Sequence, residues 1–326
     1  MFFFRRKVRR DLTTIRREGL HGINTPPRTG YSRGVEVLGE KLDKAVYLSA
    51  QSYRRRHKKP PDLIEPVQFT EKLLLYKFFG LIPTSPAPSD KLSCMHYVPD
   101  SHRHLVKAPA RTWVRASAEL PHNSEVPAGR YYLKSNHGCG TNLPVNFPLT
   151  QKERKKLQKL TNHWMTHIHS PKRSLWWYDT IDRRIYLEED IADQSDTAND
   201  WKFFVFHGRV EIFQVDSDRR GDHTQTVYQR DGAYLDEELY YKNGAAVPMP
   251  PQLHTMIDVA EAIGQQFEFI RVDLFLQNST IYLGEITLVP TGAVRQIRSS
   301  NLDTRLGEAW QPGWLGRSMS QPQVEN

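Results

Sequence analysis

The sequence predicts an α+β fold in which antiparallel strand pairs alternate with helices. Two strand pairs carry this prediction. The apolar runs 201–206 and 209–216 flank the two-residue turn His207-Gly208, and a short polar link joins the runs 269–276 and 280–288. Short links of this kind join antiparallel neighbours, whereas parallel strands need a long crossover. The pattern therefore favours layers of sheet and helix over a doubly wound parallel sheet.

The remaining elements follow from hydrophobic periodicity and from capping residues. Alternating apolar residues predict strands at 130–135 and 184–191. A capping box of Thr150 and Glu153 predicts the start of a helix. The predicted inward face of that helix consists of Leu157, Leu160, Trp164 and Ile168. Apolar spacing predicts further helices at about 36–56, 69–79 and 251–267.

Charge is concentrated at the beginning of the 326-residue chain. The whole sequence carries a net charge of +8, but residues 1–60 contain 16 Lys/Arg against 5 Asp/Glu. This segment is expected to be a basic arm, either simply solvated or in contact with an anionic membrane, an acidic polysaccharide or nucleic acid. The rest of the chain gives no sign of binding nucleic acid. Two cysteines and the lack of a long apolar run fit a cytoplasmic protein.

The strand pair near the end of the chain places acidic and basic side chains on one face. If the link centres on Asn278, Asp273 lies opposite Leu283 and Glu285 lies opposite Arg271. Arg271, Asp273, Glu285 and Thr287 then share one face, and the two carboxylates lie diagonally. Oxygen ligands on rigid strands suit magnesium. The alternative is a structural salt bridge between Arg271 and one or both carboxylates.

A lysine at a strand end precedes a loop of glycines and small polar residues. Lys134 leads into Ser135, His137, Gly138 and Gly140. Such a loop can bring backbone N–H groups to a phosphate while the ammonium offsets its charge. Cys139 within the loop is interpreted as a packing residue, with a nucleophile as the weaker alternative.

Other polar residues stand in or near the strands. Lys202 lies in an otherwise apolar strand, either at a sheet edge or in contact with a phosphate, and Arg219 is a second candidate anion contact. Glu188 and Glu189 end another strand, where they either hydrogen-bond a nucleobase or ribose or are simply exposed. The pairs His102/His104 and His167/His169 have no cysteine partners at zinc spacing and are interpreted as surface or interface residues.

These motifs, in this order, resemble the TupA-like ATP-grasp family. The resemblance runs from about residue 66 to 310. It rests on Phe69-Thr70-Glu71-Lys72, Asp90-Lys91, Leu133-Lys134-Ser135-Asn136-His137-Gly138, Trp177-Tyr178, Ile185-Tyr186-Leu187-Glu188-Glu189, Asp200-Trp201-Lys202-Phe203, Asp218-Arg219, Arg271-Val272-Asp273-Leu274-Phe275 and Gly284-Glu285-Ile286-Thr287.

The resemblance implies an ATP-grasp fold in which two α+β subdomains clasp ATP. The implied organisation is a basic arm with a short helix (1–60), a small preceding domain (61–115), the ATP-grasp domain (116–312) and a tail (313–326). Lys134 and Lys202 would contact ATP phosphates, and the loop residues and Glu188–Glu189 would complete the nucleotide site.

Metal binding and catalysis are implied in the same way. Asp273, Glu285 and Thr287 would ligate Mg²⁺, and Arg271, Lys202 and Arg219 would act on the reacting groups. The expected reaction joins a carboxylate to an amine through an acyl phosphate, in cell-surface polysaccharide biosynthesis. A glycosyltransferase and a non-catalytic nucleotide-binding scaffold are the alternatives.

Overall fold

Two mainly antiparallel sheets organise the protein. The computed structural model describes residues 42–81, 87–169, 174–191, 200–217 and 223–313. Its strands, in chain order, are β1 (Val106–Lys107), β2 (Arg111–Arg115), β3 (Gly129–Ser135), β4 (Asn142–Phe147), β5 (Ile185–Glu189), β6 (Asp200–Phe206), β7 (Arg209–Ser217), β8 (Thr224–Gln229), β9 (Tyr234–Leu235), β10 (Phe269–Gln277) and β11 (Thr280–Thr287). The helices are α1 (Leu42–His57), α2 (Phe69–Leu75), α3 (Gln151–Thr166), α4 (Leu253–Gly264) and α5 (Ser300–Ala309).

The predicted α+β arrangement is confirmed. The larger sheet has the order β1-β11-β10-β6-β7-β8-β9 and the smaller one β2-β5-β3-β4. Among the described strands, β1 and β11 form the one parallel pair. The turn between β6 and β7 is the predicted His207-Gly208, with φ angles of 48° and 77°. Both angles are positive, as in the two-residue turns that match the twist of a strand pair.

The predicted register of the β10–β11 pair is wrong. Its turn consists of two residues, Asn278 and Ser279, whose φ angles are 48° and 63°. As a result Gln277 pairs with Thr280, one residue away from the Ser279 partner that a register centred on Asn278 would give it. A tight turn with two positive φ angles is uncommon without glycine, which explains why the sequence did not reveal it.

A β-bulge then shifts the pairing by one more residue. Between Leu274 and Asp273 the partner strand holds an extra residue, so that Leu274 pairs with Leu283 while Asp273 pairs with Glu285. Gly284 is that extra residue, and a Cβ there would lie 2.4 Å from the ring of Phe275. The two carboxylates are therefore directly opposite rather than diagonal, and they share a face as predicted.

The end of α3 and the form of the last turn of α2 differ from the prediction. α3 begins at its predicted capping box, in which Thr150 and Glu153 bond each other's backbone. It ends at Thr166, however, so Ile168 is 60% exposed and does not belong to the inward face. α2 continues as one wider π-helical turn, Tyr76–Gly80, and stops at the predicted Gly80.

Two hydrophobic cores lie on the two sheets. The larger core joins the seven-stranded sheet to α1, α2, α4 and α5, with Phe69 of α2 packed edge-on against Phe206 and Phe269. The smaller core joins the four-stranded sheet to α3. Because Val46, Ala50 and Tyr53 of α1 are buried in the larger core, this helix is part of the body rather than a separate arm.

Residues 69–72 hold α2 against α5. The Thr70 N–H and hydroxyl both donate to the carboxylate of Asp303, at 2.9 and 2.7 Å. Burial raises the pKa of Asp303 to about 6. Lys72 donates to the carbonyls of Gly307 and Trp310. The structure thus gives this motif a packing role at a distance from the polar residues on the sheets.

No helix within the described ranges combines the length and the apolar character that a membrane-spanning segment requires.

The close approach of α2 and α5 leads to a stability prediction. A Cβ on Gly307 would lie 2.0 Å from the carbonyl oxygen of Val67, which is backbone and cannot rotate away. We expect Gly307→Ala to lower the free energy of unfolding by about 1–3 kcal/mol, the usual range for overpacking. Urea denaturation followed by circular dichroism measures the change. Gly129→Ala is the control, because a Cβ there meets its nearest atom at an ordinary 3.6 Å.

Candidate functional site

A cleft of about 910 Å³ lies between the two sheets. The smaller sheet contributes Lys134 and the loop 139–142 to it, and the larger sheet contributes side chains from β6, β10 and β11. The segment 289–295 and one side of α1 close the remaining walls. The volume lies in the range of protein sites for cofactors and other small molecules.

Lys202 is the buried cationic centre of the larger sheet. Its ammonium forms an ion pair with Asp200 and lies 3.6 Å from Asp216 and 3.5 Å from Asp273. Burial alone would lower the pKa of Lys202, but these carboxylates outweigh it and the pKa is raised. The side chain is only 5% exposed. The interpretation of Lys202 as a lysine at a sheet edge is therefore wrong, because β6 pairs with a strand on each side.

Arg271 and Asp273 form a second ion pair on the adjoining strand. Two guanidinium nitrogens donate to the two Asp273 oxygens at 2.7 Å each, and one also donates to the Thr287 hydroxyl at 3.0 Å. The alternative interpretation of these residues, a structural salt bridge between Arg271 and a carboxylate, is therefore confirmed for Asp273. The side chain of Glu285, directly across from Asp273, forms no hydrogen bond or ion pair with another described residue, although its charge helps to raise the pKa of Arg271.

The glycine loop, residues 135–142, is held in place by hydrogen bonds from the side chains of Lys91 and Ser135. Gly138 and Gly140 have φ angles of 80° and 73°, a backbone conformation that glycine adopts without strain. Lys91 Nζ donates to the Gly138 carbonyl at 2.7 Å, and the hydroxyl of Ser135 donates to the His137 carbonyl. A Cβ on Gly138 would lie 2.6 Å from the His169 ring. The loop is therefore fixed before any ligand arrives.

Lys134 forms a buried ion pair with Glu188 on the neighbouring strand β5. Its ammonium also faces the ring of Tyr132 at 5.4 Å. Since Glu188 is buried, the reading of that residue as simply exposed is wrong, whereas Glu189 is exposed. The carboxylate of Glu188 thus holds an ammonium group that lines the cleft.

The structure brings some of the predicted site residues together and separates others. The predicted residues that line the cleft are Lys134, Gly140, Lys202, Arg271, Asp273, Glu285 and Thr287. Ser135 and His137 are buried within the glycine loop, where they support it. Arg219 lies outside the described residues. The roles assigned to these residues remain predictions.

Several cleft residues were missed by the sequence reasoning. Asp200 shares a face with Lys202 because strand side chains alternate with period two, so the sequence held that signal. No local sequence pattern places Arg295 or the α1 residues in the cleft, because their positions depend on packing between distant segments. The α1 residues are Ser49, Ser52, Arg55 and Arg56. Cys139 was interpreted as a packing residue; that was wrong, since it is exposed and lines the cleft.

One of the two histidine pairs, His167 and His169, lies in a cluster of aromatic rings. His169 packs against His167 and Tyr178, with ring centroids 4.8 and 5.2 Å away. Within the described ranges, no three His, Cys, Asp or Glu side chains are grouped as a metal site.

The donor set at the β10–β11 bulge fits magnesium and the cleft fits a nucleotide. Mg²⁺ is commonly held by one or two carboxylates together with substrate phosphates, so Glu285 and Asp273 suffice. Glu285 is available because it has no partner in the described structure. Lys134 from one sheet and Lys202 from the other supply cations to the same cleft for a polyphosphate.

A buried lysine holds the cleft wall formed by 290–293. Lys77 is fully buried and its Nζ donates to the Ser49 hydroxyl at 3.1 Å and to the Gly292 carbonyl at 3.2 Å. Both partners line the cleft. Burial lowers the pKa of Lys77 to about 7. The lysine thus connects α1 to the turn in which Thr291 and Gly292 have positive φ angles.

The sequence model of a family described as TupA-like ATPgrasp matches residues 111–311. A search of curated proteins found no match. Among solved structures, the ATP-grasp ligase PsnB complexed with minimal precursor is 11% identical with a TM-score of 0.37, covering 70% of this chain and 61% of that one. The D-alanine–D-alanine ligase from Bacillus anthracis complexed with ATP is 10% identical with a TM-score of 0.38, covering 71% and 63%.

The corresponding ligase from Coxiella burnetii is 12% identical, with a TM-score of 0.39 and coverage of 77% and 62%. The match thus spans about three-fifths of the length of these structures. Because the TM-scores are below 0.5, the family match carries the assignment.

The titration of Lys77 predicts a pH dependence of stability. The unfolded chain holds the lysine proton up to a pKa of about 10.5, whereas the folded protein releases it at about 7. Between these values the unfolded state binds more protons, so this residue's contribution to stability rises with pH, by at most about 1.4 kcal/mol per unit.

We expect the free energy of unfolding of the wild type, relative to Lys77→Met, to increase from pH 7 to pH 9. Urea denaturation at several pH values measures the difference, and Lys107→Met, at an exposed position, is the control. A difference that stays constant with pH would contradict the prediction.

Proposed function

Because the chain belongs to the TupA-like ATP-grasp family, we propose that it is an ATP-dependent ligase that joins a carboxylate to an amine through an acyl phosphate. The observation that carries the proposal is the cleft itself. Lys134 on the smaller sheet and Lys202, Asp273 and Glu285 on the larger one line a single space. Groups from both sheets can therefore act on one nucleotide.

The two lysines are suited to the phosphates of ATP. Lys134 lies at the end of β3, where the glycine loop turns back over the cleft. Lys202 has three acidic neighbours, which keep its ammonium charged although it is buried. Cations that are already fixed before the reaction need not reorganise when they stabilise the charge that develops on a transferred phosphoryl group. Glu188 would accept a hydrogen bond from the nucleoside in addition to holding Lys134.

Asp273, Glu285 and Thr287 would hold magnesium against the phosphates. The bound ion would neutralise charge on the phosphate oxygens during transfer. Glu285 can turn towards an ion without breaking any contact with a described residue. Asp273 already shares its oxygens with Arg271, so it contributes as part of an ion pair.

Arg271 is placed to bind the acceptor carboxylate. Its guanidinium is held by Asp273 and Thr287 and lines the cleft between the metal ligands and residues 289–295. Burial alone would lower its pKa, but Asp273 raises it, so the group remains charged. A rigid guanidinium matches the geometry of a carboxylate or an acyl-phosphate oxygen. Arg219 belongs to the proposed catalytic group, although it lies outside the described residues.

The proposed place of the reaction is cell-surface polysaccharide biosynthesis, which is supported by the order of motifs along the chain. The proposal also keeps a small preceding domain at 61–115 and an ATP-grasp domain at 116–312. Residues 42–57 contribute to the cleft, so the proposed catalytic unit includes α1 as well.

Nucleotide binding is tested with a variant that removes no contact seen in the structure. We expect saturable, magnesium-dependent binding of ATP by calorimetry. Glu285→Gln should weaken it at least about tenfold, or about 1.4 kcal/mol, because a metal ligand loses its charge. Glu119→Gln, at an exposed position away from the cleft, is the control. Magnesium-independent binding, or equal binding by the two variants, would contradict the assignment of the metal ligands.

The ligase reaction is tested by following the products of ATP. We expect ADP and phosphate, rather than AMP and pyrophosphate, only when a carboxylate and an amine are both present. Lys134→Met should abolish ADP formation, because the phosphate contact at the end of β3 is lost. A requirement for a nucleotide sugar with no turnover of ATP would instead identify a glycosyltransferase. Binding of ATP without turnover under any pairing would favour a scaffold.

A further inference from the structure

The cleft carries more positive charge than the proposed nucleotide and metal site uses. Seven Lys/Arg and three Asp/Glu residues line it. Lys134, Lys202 and Arg271 each have an acidic partner. Within the described part of the chain, the other four cations of the cleft, Arg55, Arg56, Lys91 and Arg295, have none.

Three of these four cations lie on one side of the cleft. Arg55 and Arg56 are in the last turn of α1, and Arg295 follows the turn that Lys77 ties to the same helix. The ring of His57, next to Arg56, hydrogen-bonds the backbone of Arg295. The end of α1 and Arg295 are therefore neighbours. Lys91 is separate from them, because it bonds the glycine loop.

Two of the three guanidinium groups are oriented by hydrogen bonds. One nitrogen of Arg295 donates to the Tyr240 carbonyl at 2.8 Å, and its guanidinium lies over the Tyr241 ring at 4.0 Å. Arg55 donates to the hydroxyl of Ser52, which also lines the cleft. Stacking and hydrogen bonding limit the freedom of these side chains, so less entropy is lost when they bind an anion.

We propose that Arg55, Arg56 and Arg295 form a subsite for an oxyanionic group of the acceptor substrate, a carboxylate or a phosphate monoester, distinct from the group that reacts. The assignment of this anion to a substrate rests on the proposed ligase function, but the binding of the anion does not. Arg55 and Arg56 precede the residues matched by the family, 111–311. Arg295 lies within the matched range.

The arginines in the last turn of α1 could instead stabilise the helix, and that role would involve a different set of residues. Cations in the last turn of a helix interact favourably with its dipole. Arg54 lies in the same turn as Arg55 and Arg56, yet it does not line the cleft. The dipole would be served by all three residues, whereas an anion in the cleft is bound by two of them.

The test is a calorimetric titration in the presence of saturating magnesium and a non-hydrolysable ATP analogue, which blocks the phosphate site. The probes are glutarate and glycerol 3-phosphate, with glutaramide and glycerol as their neutral counterparts. We expect at least one anion to bind saturably in the millimolar range, and its neutral counterpart not to bind. The anion that binds identifies the subsite as one for carboxylates or for phosphate esters.

The variant Arg55→Gln/Arg56→Gln should weaken the binding of that anion at least tenfold, and so should Arg295→Gln. The matched control is Lys44→Gln/Arg54→Gln, which removes two charges from exposed positions of the same helix outside the cleft and should change the affinity less than twofold. Because these side chains are exposed, circular dichroism should show that both double variants are folded.

Two results would overturn the subsite: no saturable binding of either anion by the wild type, or equal losses in the two double variants. The failure of the ligase proposal is a separate observation. If the ATP analogue does not bind, the titrations are repeated on the free protein, where dependence on Arg55 and Arg56 still establishes the anion site. If the analogue binds and neither anion does, the ligase proposal stands without the subsite.

Discussion

The structure of the cleft depends on the compensation of buried charge between β6, β7 and β10. Lys202 and Arg271 would each be strongly disfavoured in the interior without the three carboxylates around them, since an unpaired buried charge costs several kcal/mol. The aromatic core directly behind these strands excludes water. The ions and the core therefore fix the spacing of the three strands together.

Among the acidic side chains that line the described cleft, Glu285 is the one that forms no ion pair. It lies opposite Asp273 because the Gly284 bulge moves the pairing by one residue. Without the bulge, the register set at Gln277 and Thr280 would pair Asp273 with Gly284 and would turn Glu285 to the other side of the sheet. The extra residue at Gly284 thus brings the two carboxylates opposite each other, while Lys134 reaches the same space from the end of β3.

The sequence predicted the layers, the paired strands and the shared face of Asp273 and Glu285, because these follow from alternation and turn chemistry within short segments. It did not predict the register, since the turn at Asn278 and Ser279 adopts positive φ angles without glycine. It also missed Arg295 and the α1 arginines. Their positions depend on contacts between segments more than 200 residues apart, such as that of Lys77 with Gly292, for which no local pattern exists.

The separation of the protein into two hydrophobic cores has a consequence for folding. Each sheet completes its own interior, and the space between them is lined by charged side chains, of which seven are basic and three acidic. A molecule bound there touches both halves and so completes a third, polar interior. The bound molecule then acts as a structural part, and the cooperativity of unfolding between the two halves becomes a property of the complex rather than of the chain alone.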